Sequence, residues 1–248
     1  MTIDVYVERG SKRTFVSAVE WPGWARSGKD EAAALEALVA SGRRYAAVVA
    51  RSRLGFSAPT STSGIRVVER VRGDATTDFG APSAAPESDA EALDAAELKR
   101  IEALINAAWR AFDNAVANAK GMTLAKGPRG GGRSLTKIVD HVREAESGYV
   151  SALGWKFKAD STGELASTRR AVIDGLRASA SGEIAARGPR GGRRWTPRKF
   201  ARRLAWHAID HAWEIEDRIG ARSSSAPAPP TPASARGRPD RSLRRVRQ

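Results

Sequence analysis

The chain is predicted to fold as a small α+β unit, ordered β-β-α-β, over residues 1–73. An all-α four-helix bundle is expected over residues 93–221, then a disordered basic tail over 222–248. Three observations carry that expectation. β-branched and aromatic residues gather in short runs near the N-terminus. Beyond residue 92, apolar residues recur at helical spacing in long stretches. The final stretch, rich in proline, alanine, serine and arginine, has nothing with which to build a core.

The first two strands are IDVYVE (3–8) and TFVSAVEW (14–21), joined as a hairpin across the intervening GSK. SGKDEAAALEALVASGRRYAAVV then reads as a helix, with Ser27 and Asp30 as a capping box and Leu35, Leu38 and Val39 on one face. GIRVVERV (64–71) is the third strand. Residues 74–92 open with DATTDFGAPSAAPE, small, polar and proline-bearing, which is linker chemistry. Trp21 and Trp24, flanking Pro22-Gly23, read as closing a small core, with a partner-binding patch as the alternative.

Ser88-x-x-Glu91 offers a cap for the first long helix, whose stripe is Ile101, Ile105, Ala108, Phe112 and Val116. After GMTLAKGPRGGGR a second helix spans about Ser134 to Leu153. Ser161-x-x-Glu164 caps a third, ending near Ala186. Thr196-Pro197 begins the fourth, with threonine at the N-cap and proline in the first turn, and Gly220 stops it. Four such helices bury their stripes together as a bundle. The pentapeptide GPRGG occurs at 127–131 and again at 188–192, each copy just ahead of a histidine-bearing helix. These copies read as loops at one end of the bundle, or as anion-binding turns. Neither has the lysine–serine ending of a P-loop, which argues against nucleotide hydrolysis.

Composition sets further bounds. The 248 residues carry a net charge of +14 and no cysteine. There is therefore no disulfide framework, thiolate metal site or cysteine nucleophile. The N-terminal MTIDVYVERG has no basic-then-apolar signal pattern and no apolar run is long enough to span a bilayer, so a cytoplasmic protein with no membrane partner is expected. The tail holds seven arginines and one aspartate. Its charge either solvates a surface or meets an acidic or nucleic-acid partner.

Histidine occurs three times, at His141, His207 and His211. His207-x-x-x-His211 places two imidazoles on one helical face, one turn apart. His141 lies in the second predicted bundle helix. Facing helices of a bundle are a usual place for a metal site, and three neutral imidazoles suit zinc, nickel, iron or copper while leaving coordination positions open. Glu144 follows His141 by three and Glu214 follows His211 by three. Both are candidate catalytic carboxylates, able to orient an imidazole, take a proton or ligate. Asp140 and Asp210 point elsewhere on their helices. Ala208 follows His207, so the H-E-x-x-H metalloprotease pattern is missing. Arg143, Arg193, Arg194 and Arg203 form a candidate basic rim for an acidic cosubstrate.

On KIVDHVREAESGY and LAWHAIDHAWEIEDR, residues 93–220 resemble the DinB-like superfamily of four-helix bundles. The resemblance implies that His141, His207 and His211 ligate a divalent transition metal, zinc or nickel. It also implies a metal-dependent enzyme, a transferase using a low-molecular-weight thiol such as bacillithiol or mycothiol. Homodimers are common among such bundles. On WPGWARSGKDEAAALEAL, residues 1–72 are similar to the HicB-like domains, which implies an accessory domain that meets a protein partner. The alternative is a non-catalytic regulatory protein related to HicB-like antitoxins, binding a partner or nucleic acid.

Overall fold

A computed structural model describes residues 2–126, 132–157 and 165–223, with side chains described as far as residue 219. A four-stranded sheet leads into helices, matching the expected α+β unit followed by a helical part. The strands are β1 (Ile3–Arg9), β2 (Thr14–Ala18), β3 (Ala25–Gly28) and β4 (Ile65–Arg72). The order across the sheet is β3-β2-β1-β4, antiparallel except for the parallel β1–β4 pair. The crossover from β3 to β4 carries α1 (Glu31–Ala40) and α2 (Gly42–Val49).

The expected β-β-α-β order is corrected to β-β-β-α-α-β. The extra strand is β3, ARSG, whose four residues are too short and too polar to show a pattern. β2 ends at Ala18 rather than residue 21 because the chain turns at Pro22-Gly23, where Trp24 N–H donates to the Trp21 carbonyl. Gly23 is required there: its φ is +95°, and a Cβ would lie 2.7 Å from Ile209 Cδ1. Ser27 is a strand residue, and the cap of α1 is Asp30, which accepts from Ala33 N–H at 2.8 Å. Trp24 is buried, stacks on Tyr45 and donates to Ser41 Oγ at the α1–α2 junction. It closes a core, as read from the sequence.

Residues 74–92, expected as a linker, fold onto the sheet. Asp74 and Thr77 form a capping box for α3 (Ala75–Phe79), and a 3-10 turn spans Glu87–Ala90. The reason lies in β1 and β2, which are buried on both faces. Val5, Val7, Val16 and Ala18 pack into the main core with Ala34 and Leu38 of α1. On the opposite face Phe15 and Ala25 meet Ala81 and Trp206. Glu8 also points that way, fully buried, and accepts from the Thr77 hydroxyl and from Ser83 N–H. The sheet needs a second cover, and the polar segment supplies it with hydrogen bonds.

The helical part comprises α4 (Ala95–Ala119), α5 (Leu135–Leu153), α6 (Leu165–Ala180) and α7 (Pro197–Ser223), packed against one another. α4 starts on an Asp94–Glu97 capping box, six residues past the expected Ser88. α5 starts on Ser134 and α7 after Thr196, as expected. α6 ends at Ala180 rather than near Ala186, and α7 runs three residues past Gly220. The expected Ser161–Glu164 cap and the first GPRGG (127–131) lie outside the described residues, as do residues 224–248 of the expected tail.

α7 is the central helix. Phe200, Leu204, Ile209 and Ile215 are buried on it, and Ala201, Ala205, Ala208 and Ala212 let neighbours approach closely. It packs chiefly along α4 and also meets α5 and α6. The sheet is tied to it by Arg202, which pairs with buried Asp89 at 2.8 Å and donates to the Ala18 and Val19 carbonyls. One continuous core joins the sheet to the helices. Among the described residues no helix is long and apolar enough to cross a membrane.

Candidate metal centre

α5 and α7 bring His141, His207 and His211 together, with one nitrogen from each within 4.8 Å of the others. His207 and His211 are buried and His141 is half-buried. The ring centroids lie 4.6 to 5.0 Å apart, each pair edge to face. His141 Nε2 and His207 Nε2 are 3.2 Å apart. Metal–nitrogen bonds of about 2.0–2.1 Å at a tetrahedral angle set two ligand nitrogens about 3.3 Å apart, so the His141–His207 pair is spaced to share one ion, with His211 within 4.8 Å of both.

The electrostatics favour ligand-ready imidazoles. Burial, with the neighbouring histidines, holds His207 well below the usual histidine range. Burial and His211 likewise lower His141. Neutral rings keep the lone pairs that bind cations. His207 Nδ1 is buried with no hydrogen-bond partner. His211 is oriented from behind: its Nδ1–H donates to Glu214 Oε2 at 2.8 Å, the arrangement in which the neutral ring presents Nε2 as its lone pair. These features fit a first-row divalent ion bound by nitrogen.

Glu214 is held from both sides. Its second oxygen accepts from Arg218 Nη1 at 2.8 Å, and its hydrogen bond from His211 keeps its carboxyl below the ordinary value. Arg218 is the residue the sequence reading missed. It is buried, and it also donates to the Ala125 and Arg133 carbonyls, fastening both flanks of the first glycine-rich segment to α7. Its i,i+4 spacing after Glu214 was the available signal. Glu144 is exposed on α5, and its charge is felt at His141. Asp140 pairs with Arg143 and Asp210 with Arg26, and neither is among the clustered donors.

Of the expected basic rim, Arg203 acts on His207 through its charge. Arg143 is engaged with Asp140, and Arg194 donates to the Ala185 carbonyl. Arg193 sits in a tight turn, bridged to Arg187. Within that turn Gly188 N–H donates to the Gly192 carbonyl and Gly191 N–H to the Gly188 carbonyl. Those amides of the second GPRGG copy are used internally, so they do not cradle an anion. Tyr149, two turns beyond His141, sets its ring edge-on to His207 at 5.7 Å. Comparison with protein-family models, curated proteins and solved structures gives no match.

Proposed function

We propose that the chain is a metal-dependent enzyme of DinB-like type, a transferase that uses a low-molecular-weight thiol, with the N-terminal unit as a HicB-like accessory domain. The convergence of the chain's three histidines on one point, backed by the Glu214–Arg218 support, is the observation that carries this reading. His141, His207 and His211 hold a divalent ion, zinc or nickel, and leave positions for substrate. Such an ion supplies the Lewis acidity that makes a thiol or water nucleophilic near neutral pH. The thiol comes from outside, because the chain has no cysteine.

Glu214 keeps His211 in the tautomer whose Nε2 faces the ion, so it is a positioning residue. Glu144, exposed and near His141, is the carboxylate left to take the proton a thiol sheds. The test is metal analysis of purified, tag-free protein after incubation with zinc and nickel. Close to one ion per chain in the wild type, lost in His211→Ala, is the expected result. Wild-type protein that takes up neither metal overturns the reading. Metal-loaded protein that fails to accelerate thiol conjugation of an aryl halide keeps the metal centre and removes the transferase.

A further inference from the structure

Between the sheet and the helical layer lies a cavity of about 390 Å³ that the metal reading does not use. Its flat apolar walls are Trp24 after the Pro22-Gly23 turn, Tyr149 on α5, and Trp195 and Trp206 at either side of the α7 start. Lys199, Arg202 and Arg203 also line it, and no carboxylate does. The three cations differ in their partners. Arg202 is neutralised by Asp89. Arg203 donates through Nε to the Tyr149 hydroxyl at 3.2 Å and through Nη1 to the Pro82 carbonyl, both neutral acceptors. Its guanidinium also lies against the Trp206 and Tyr149 rings. Lys199 lies over the Trp195 ring. Among the described residues no carboxylate pairs with Arg203 or Lys199.

A half-buried guanidinium held in place by neutral groups keeps its full charge directed at whatever enters beside it. Aromatic walls select a flat apolar body, and a cation pair with no carboxylate in direct contact, Asp89 reaching Lys199 only through its field, selects an anionic head. We propose that this cavity binds a small organic anion with an aromatic body, its carboxylate-type head between Arg203 and Lys199 and its ring among the tryptophans. The Tyr149 ring, which also meets His207, stands between this ligand and the histidine triad. The cavity is a site in its own right, whether or not the triad holds metal.

One exposed position lets the rim of the cavity be obstructed without disturbing the fold. Gly148 lines it on α5, and a Cβ there meets nothing within 4 Å. Leucine at a helical glycine also favours the helix. The experiment is titration of the full chain with 2-naphthoate and with neutral 2-naphthamide, followed by tryptophan fluorescence and calorimetry. The acid is expected to bind one per chain, about tenfold or more tighter than the amide, as charge-assisted hydrogen bonds imply. Gly148→Leu is expected to lose that binding with an undiminished melting temperature. Lys199→Gln and Arg203→Gln are expected to bring the acid down toward the amide. The preference is expected to survive dialysis against a chelator. Equal affinity for acid and amide, no binding of either, or full binding to Gly148→Leu overturns the proposal. Loss of binding on chelation also overturns it, since the anion then belongs to the metal centre.

Discussion

Two regions along α7 bury ionisable groups, and they treat them in opposite ways. At the sheet junction the groups are closed on one another. Asp89 accepts two hydrogen bonds from Arg202 Nε, at 2.8 and 3.0 Å, and Glu8 is met by Thr77 and Ser83. At the α5 crossing they are left open. His207 Nδ1 has no partner, and the three imidazole edges face one another with only His211 backed by a carboxylate. Burying unsatisfied polar groups costs free energy, and at the triad the facing Nε2 atoms of His141 and His207 leave room for a ligand that offsets part of that cost. The closed cluster builds the molecule, and the open one has the donors to hold a metal ion.

The largest test of that contrast is to open the closed region. Asp89→Ala strands the Arg202 guanidinium, only 11% exposed, without its counter-charge. It is expected to lose about 3–5 kcal/mol of stability in urea denaturation. A loss no larger than a surface substitution gives would break the contrast.

Glu146 sharpens it as a third case, a carboxyl buried where α5 meets α4 and only half satisfied. It accepts from Trp109 Nε1 at 2.8 Å, while its other oxygen has no partner. Burial pushes its carboxyl up to about 7 from an ordinary 4.5. The folded chain therefore keeps a proton that the unfolded chain releases from about pH 4.5 upward. Its contribution to stability falls as pH rises through that window and is lost above about 7. Glu146→Gln, which retains the acceptor for Trp109, is expected to gain about 3 kcal/mol at pH 8 and nothing at pH 4. Thermal melts at the two pH values check this, and equal gains at both would remove the titration from the account.

Smaller effects probe the open site. Glu214→Gln weakens the support behind His211 and is expected to reduce metal affinity about 10- to 100-fold, read by competition with a chelating dye. Glu144→Gln changes an exposed carboxylate whose field is screened by water. Metal affinity is expected to stay within about twofold, with the loss confined to turnover. If Glu144→Gln and Glu214→Gln weaken metal equally, their assigned roles as base and support collapse into one.

The local signals were legible where one element answers to its own residues. Thr196-Pro197 and Ser134 start their helices because capping is satisfied within a turn. β1 and β4 follow from their β-branched runs. β3 was not legible, because ARSG is a strand only by virtue of the β2 edge it pairs with. Residues 74–92 were misread for the same reason. Their small polar residues have linker composition, and they become structure only against the second face of the sheet.

By itself the sequence determined that three histidines exist, that two share a helical face, and that Glu214 follows them on it. Helical periodicity is a local property and needs no partner to be read. Tertiary structure alone decided that His141 meets the pair, that Arg218 locks Glu214 from behind, and that Arg202 is neutralised while Arg203 is not. Those distinctions depend on distances between residues far apart in the chain. Whether a buried charge is closed or open is set by what packs against it, and no spacing along one helix encodes that.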